Sequence, residues 1–449
     1  MTYNVGLVSL GCAKNLVDSE IMLGLVERGN YNIVEDHATA DILIVNTCGF
    51  IESAKEESID TILELSEYKE NGKLKVLIAT GCLSERYKEE LLNEIPELDA
   101  VVGTGDYVNI ITIIENTLKG EKICAYGHIN YAFDESLPRR ISTPKYSAFV
   151  KIGDGCDNHC TYCIIPSLRG KFRSRKLVDI KREIVGLVNN GAKEIIIIAQ
   201  DITQYGIDLY GKHSLPMLLR ELEDIENLKW IRLLYAYPEN ISRELIDVMK
   251  SSNKIVHYLD IPLQHTEDNI LKRMARKTSK EKIITLINTL RQEIPDIILR
   301  SSFITGFPGE SNEDFENMLK TLEELKLDRL GVFAYSLEED TKAALFQDQV
   351  PDDVKKSRQE KILEIQQGIS LSNNQNKISK ILDILIEGTT DDPNVYFGRS
   401  YMDAPEIDGM VYVHSTKELH EGNLCKVRIT DGLEYDLIGD IIHGDELTK

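Results

Sequence analysis

Three short apolar runs punctuate the first third of the chain, at residues 3–10, 41–46 and 74–79, all rich in Val, Ile and Leu. Runs of that length without polar alternation read as strands buried on both faces. Each is followed by a stretch of helical period, near 16–29, 51–70 and 84–95. This alternation predicts an N-terminal doubly wound α/β domain over residues 1–125. The pattern resumes with strands expected near 147–152, 194–199, 229–235, 256–261, 297–304 and 329–335. Helices are expected between them near 177–190, 214–224, 242–251, 267–292 (with a break) and 311–326, the last capped by Ser311. Six β/α units over 142–350 predict a central, partial (β/α)6 TIM-like barrel, with its chemistry at the carboxyl ends of the strands. Residues 351–379 form a polar, charged helix that reads as a linker. Short strands follow near 381–387, 395–401, 409–413, 424–430 and 434–441, with turns at Gly388, Asp391-Asp-Pro393, Gly422 and Asp431-Gly432. They predict a small antiparallel, OB-like β-barrel over 380–449.

The cysteines add chemistry to this outline. In Gly155-Cys156-Asp-Asn-His-Cys160-Thr-Tyr-Cys163 three thiols fall within eight residues, on a loop after the first central strand. Three thiolates can hold three corners of a cubane iron–sulfur cluster, which normally takes four cysteines. The next cysteine toward the C-terminus is Cys425, so one iron would stay open to a small molecule. A zinc ion also wants a fourth ligand, which His159 could supply only by bending back inside the loop. Cys12, Cys48 and Cys82 each follow an apolar run by one to three residues. In an open parallel sheet all three emerge along the carboxyl edge, where ligands bind. One free cysteine is most simply a core residue; three at equivalent strand ends predict a second cluster. Cys124 and Cys425 lack such a placement and read as structural.

Charge narrows the partners. The chain carries a formal net charge of −22, which disfavours general attraction to nucleic acid and suits a basic partner. Eight cysteines in 449 residues point to ligands in a reducing cytosol rather than a disulfide framework. The apolar run before Cys12 superficially suggests a lipoprotein site, but Ser9 stands where an aliphatic residue is wanted. No apolar stretch approaches the roughly twenty residues that span a bilayer, so a cytoplasmic protein without a membrane partner is expected. From Ile378 onward 6 Lys/Arg face 15 Asp/Glu, which argues against RNA binding as the dominant role. The basic run Arg169–Lys176 reads as a solvated loop or, beside a cluster, as a binder of carboxylate on a cofactor or substrate.

At Cys156–Cys163 the chain resembles the radical S-adenosylmethionine (SAM) enzymes, whose triplet has this spacing and an aromatic, here Tyr162, before the last cysteine. Ser9-Leu-Gly-Cys-Ala-Lys-Asn15, Asn46-Thr-Cys-Gly-Phe50 and Thr80-Gly-Cys-Leu83 resemble the amino-terminal domain of the methylthiotransferase branch, and the last 70 residues resemble its TRAM domain. The resemblance implies two 4Fe-4S clusters, on Cys12/Cys48/Cys82 and on Cys156/Cys160/Cys163. It also implies two SAM per turnover, an external electron donor, and Tyr162, Gln200, Gln264 and Arg300 as SAM contacts. No side chain is expected to act as a catalytic group, because the cofactor carries the hard step. Residues 11–20, Gly103-Thr-Gly-Asp106 and Pro262-Leu-Gln-His265 are similar to members that modify the β-carbon of an aspartate in the basic small-subunit ribosomal protein S-twelve. On that reading the acidic TRAM barrel docks the substrate. The alternative keeps the chemistry and takes a tRNA adenosine. A non-enzymatic two-cluster electron carrier would not need the open iron.

Overall fold

The computed structural model describes residues 2–442, so Met1 and the last seven residues of the expected C-terminal unit lie outside the described residues. The first sheet holds β1 (Asn4–Ser9), β2 (Asn32–Ile33), β3 (Ile42–Thr47), β4 (Val76–Gly81), β5 (Ala100–Val102) and β6 (Ile123–Ala125). Its order is β2-β1-β3-β4-β5-β6, with every pair parallel. The three strands of two or three residues (β2, β5, β6) are too short to show a period in the sequence. The chain reverses direction across the sheet between β1 and β3, the point at which such sheets bind ligands. Cys12 and Cys48 leave the sheet there, and Cys82 leaves the neighbouring β4. The helix expected at 84–95 is instead two short ones, Cys82–Tyr87 and Glu89–Glu94, broken at Lys88 with φ 49°.

The central sheet contains β7 (Ser147–Lys151), β10 (Glu194–Ile198), β11 (Trp230–Leu233), β12 (Ile255–Asp260), β13 (Ile298–Thr305) and β14 (Arg329–Ala334). A small hairpin, β8 (Gly153–Asp154) with β9 (Arg173–Ser174), flanks the cysteine loop. The six strands are parallel and open, in the order β14-β13-β12-β11-β10-β7, each within two residues of expectation. Ser311 caps helix Asn312–Leu325 through a reciprocal box with Asp314.

Five strands, β15 (Ile381–Thr389), β16 (Val395–Arg399), β17 (Val411–His414), β18 (Leu424–Gly432) and β19 (Leu437–Ile441), close a barrel. Four of its pairs are antiparallel, while β17 and β19 run parallel. Gly388 lies inside β15 at a register slip rather than in a turn, and Gly432 ends β18.

Because successive strand residues face opposite sides, Ile195 and Ile197 pack under the helices while Ile196 and Ile198 face inward. There they join Tyr258 and Ile298 and meet Ile384, Met402 and Val427 of the barrel. The C-terminal barrel therefore fills the open inner face that six strands alone leave uncovered. The linker helix, Asp352–Gln375, is also docked: its Gln359 and Gln366 amides donate to Val332 O and Leu327 O along the β14 edge. Among the described residues no helix is long and apolar enough to cross a membrane.

Glu194 is the polar lock of the barrel interface. Fully buried, it accepts from Arg232 Nε at 2.8 Å, Arg399 Nη2 at 2.7 Å and the Ser147 hydroxyl at 3.1 Å. Burial alone would raise its carboxyl, but Arg399 and Arg232 pull it from 4.5 down to about 2. A carboxyl depressed on folding stabilises fully above its unfolded value and loses that contribution as pH falls through its folded value. The shift corresponds to about 3 kcal/mol. Glu194→Gln leaves the buried Arg232 without a carboxylate, while Arg399 keeps Glu387 at 2.8 Å, and is expected to cost roughly 3 kcal/mol at pH 7. Its stability should then fall less than that of the native chain from pH 4.5 to about 2. Denaturation followed by Trp230, the single tryptophan and the register partner of Glu194, reads both effects.

Candidate active site

The amino-terminal cysteines converge through Asn15. Its Nδ2 donates to Leu10 O at 3.1 Å and Thr47 O at 2.9 Å, and its Oδ1 lies 3.7 Å from Cys82 Sγ. The loops that carry Cys12, Cys48 and Cys82 thus meet around one amide. Gly11, at φ +86°, lets the first loop lie against the second: a Cβ there would stand 2.8 Å from Cys48 Cβ and 3.1 Å from its Sγ. Gly11→Ala is therefore expected to displace Cys48. Iron in the reconstituted protein should fall from about eight toward about four per chain, as measured by elemental analysis.

Burial pushes the Cys48 thiol up to about 12, helped by the neighbouring Cys82, and raises Cys82 despite Arg169. Burial acts on Cys12 as well, but Lys14 and Arg169 together bring it below its ordinary value. Ligand thiols in this state release protons when a metal binds.

Cys156, Cys160 and Cys163 lie at the carboxyl end of β7. Cys156 N–H donates to Gly170 O at 3.0 Å and Cys163 N–H to Cys160 O at 3.1 Å. Thr161 ties the loop to Arg273 O and Met274 O. Tyr237 Oη and Arg276 Nη1 each approach Cys160 Sγ to 3.9 Å, and the guanidinium stacks over the Tyr237 ring. Burial raises Cys156 to about 12 and drives Cys163 upward too. A small cavity of about 40 Å³ opens beside Cys160, lined among others by Asn158, Gln204, Tyr237, Glu239 and Arg276.

One buried polar wall joins the two trios. Arg169, from the basic run, pairs with Asp18 at 2.6 Å and Asp154 at 3.3 Å, donates to Asn15, and reaches Cys82 Sγ at 3.6 Å. Lys151 pairs with the same carboxylates at 2.5 and 2.9 Å. Burial would raise Asp154, but Lys151 and Arg169 hold it well below the usual carboxylate range. Asp154 in turn accepts from Gln200 Nε2 at 2.7 Å. Arg175 is likewise committed to Glu135 and Glu183. Arg169 and Arg175 of the basic run therefore serve the protein's own carboxylates.

The four expected SAM contacts fare differently. Gln200 keeps Oε1 buried without a partner, and Tyr162 Oη is likewise unpartnered, its ring edge-on to Phe307 at 6.4 Å. Gln264 adopts φ +73° in a bridge to Phe303 beside the β13 edge. Arg300 lies 3.4 Å from Asp260 and 3.3 Å from Asp408, so its charge is already met by the sheet and the barrel. Gly306 to Glu310 forms a structural turn: Glu310 accepts from Gly306 N–H and pairs with Arg358 at 2.7 Å.

Arg276, Tyr237 and the Asp18–Lys151–Asp154 wall went unforeseen. The one available signal was the density of polar residues in 11–20, directly after a buried strand.

All eight cysteines are free, so both trios offer thiols. Among the described residues no three His, Cys, Asp or Glu side chains close on one point as the ligands of a single ion do. A cubane puts each thiolate on its own corner and does not require that convergence. Three thiols beside a guanidinium, with unpartnered polar atoms at Gln200 and Tyr162, fit such a cluster and a polar ligand next to it.

A family model described as the radical SAM superfamily matches residues 150–322, and one described as uncharacterized protein family UPF0004 matches 4–103. A third, described as the TRAM domain, matches 378–442. Over 437 residues the chain is 53% identical to the ribosomal protein uS12 methylthiotransferase RimO of Thermoanaerobacter sp. (strain X514), covering 97% of this chain and 99% of that one. It is 52% identical over 439 residues to the protein of the same name from Clostridioides difficile (strain 630), covering 98% and 99%. The chain belongs to the RimO family of radical SAM methylthiotransferases. As a member it is an enzyme whose cofactors are 4Fe-4S clusters and SAM. Among solved structures, the radical SAM methyltransferase TsrM from Kitasatospora setae shares the fold at TM-score 0.54 and 16% identity, over 74% of this chain and 75% of that one. The cobalamin-dependent SAM radical enzyme OxsB does so at 0.52 and 15%, over 81% and 56%.

Proposed function

We propose that this RimO-family chain adds a methylthio group to the β-carbon of an aspartate in ribosomal protein uS12. Cys156, Cys160 and Cys163 would hold the SAM-cleaving cluster, and Cys12, Cys48 and Cys82 the cluster that carries sulfur. The observation that supports the two trios acting together is Arg169, which follows the second trio in sequence yet lies 3.6 Å from Cys82 of the first. When bound, the cluster on Cys156, Cys160 and Cys163 together with SAM would supply the radical that breaks the C–H bond, a second SAM the methyl group, and an external donor the electrons.

The chain's own residues hold and shield. Tyr162, kept a neutral phenol by burial, and Gln200 offer free polar atoms to SAM, and Gln264 stands at the neighbouring strand end. Arg300 acts from below, anchoring Asp408 of the barrel loop. Arg276 sets a positive charge beside Cys160.

The barrel surface exposes Asp383, Asp391, Asp392, Glu418, Glu421 and Asp440, which favours a basic protein over an RNA. A ribosomal protein substrate places the enzyme in the cytoplasm. The test is anaerobic reconstitution with SAM and a reductant, offering uS12 and tRNA together. Mass spectrometry should find the methylthio group on uS12; a gain on tRNA alone would overturn the substrate.

A further inference from the structure

Lys14 is a largely buried cation with no carboxylate partner among the described residues, its nearest acidic neighbours being the Cys12 thiol and the Tyr235 phenol. Its residue is 9% exposed, and its Nζ sits 3.5 Å from the centroid of the Tyr235 ring. Among the described residues it makes no ion pair. The other cations of the buried wall are balanced, Lys151 and Arg169 by Asp18 and Asp154. Burial disfavours its charge, but Tyr235 and Cys12 outweigh that and hold the ammonium protonated, while the aromatic face leaves its N–H donors free for an oxygen acceptor.

The direction in which it points is decisive. Lys14 follows Cys12 by two residues, at the start of helix Ala13–Arg28 in the first domain. Tyr235 belongs to the second domain, just past the carboxyl end of β11. It is held at φ +65°, its N–H donating to Asp260 Oδ2 at 3.2 Å and its carbonyl accepting from Ile202 N–H at 3.1 Å. Lys14 therefore crosses from the loop of the first trio to the strand ends that carry the second. The ammonium thus lies where the loop of the first trio meets the strand ends of the second domain.

We propose that Lys14 Nζ binds a carboxylate presented between the two cysteine trios, that of the substrate aspartate. This rests on the proposed reaction. There the β-carbon to be modified is bonded directly to the carboxylate carbon, so gripping the carboxylate fixes the reacting carbon one bond away. A lysine supplies a charge that neither asparagine nor a nucleobase matches. SAM carries the other carboxylate within the site, and the test separates the two sources.

Lys14→Met keeps the aliphatic stem against Tyr235 and removes the charge, while Lys14→Arg keeps the charge. With reconstituted full-length protein, Lys14→Met is expected to raise the KM for uS12 about 10- to 100-fold, as for a lost charged hydrogen bond. Lys14→Arg should recover part of that loss. The native enzyme should prefer uS12 over a uS12 variant with asparagine at the modified position, and Lys14→Met should lose the preference. A fall in SAM affinity with an unchanged KM for uS12 would assign the carboxylate to SAM instead. Unchanged values in both arms, or loss of iron to about four per chain, would overturn the inference. Failure of the native chain to modify uS12 would count against the proposed substrate and leave the SAM arm as the readout for Lys14.

Discussion

Arg169→Met is expected to destabilise the protein by about 3–5 kcal/mol, because it leaves buried carboxylates short of a cation. Asp18 and Asp154 would share Lys151 alone, and Asn15 and Cys82 would lose their guanidinium. The effect should reach the metal as well. With no positive charge beside Cys82, iron should fall from about eight toward about four per chain, the first trio emptying while the second stays loaded. Adding Asp18→Asn restores the charge balance of the wall without restoring the contact to Cys82. The double variant should therefore regain thermal stability and remain poor in iron. Differential scanning calorimetry with iron analysis separates the two consequences. A single variant with native stability would mean that the wall carries no net electrostatic load.

The second large effect is a division of labour between the trios. Replacing Cys12, Cys48 and Cys82 together by alanine is expected to leave about four irons. Such protein should still cleave SAM reductively, yet form no methylthio product. Replacing Cys156, Cys160 and Cys163 should also leave about four irons, with neither cleavage nor product. Chromatography for 5′-deoxyadenosine and mass spectrometry of uS12 read the two steps separately. Cleavage surviving loss of the second trio, or product surviving loss of the first, would reverse the two roles.

Much of the fold and site is legible in the chain because the signals are local. The triplet Cys156/Cys160/Cys163 is a spacing, and β10 is an unbroken run, Glu194 followed by four isoleucines. Cys12, Cys48 and Cys82 are legible one level up, as equivalent positions after strands. What stays hidden depends on partners distant in sequence. Lys14, Asn15, Asp18 and Glu20 lie on one helix and would ordinarily be read as a solvated face, yet all are buried. Each contacts a residue at least 119 positions away, respectively Tyr235, Arg169, Lys151 and Arg139. The same holds for the docked barrel. Ile196 and Ile198 announce burial on the inner face of β10, but nothing in β10 says that Met402 and Val427 cover it. In the sequence Arg300 reads as a cation facing a cofactor because its barrel partner, Asp408, lies 108 residues away.

The central proposal is spatial: two sulfur trios from two domains would face one another, with Arg169 between their loops. Crystals of the anaerobically reconstituted protein, measured at the iron absorption edge, test it most directly. Two anomalous peaks are expected, one against Cys12, Cys48 and Cys82 and one against Cys156, Cys160 and Cys163, with Lys14 Nζ facing the space between. A single peak, or iron bound at other residues, would contradict it.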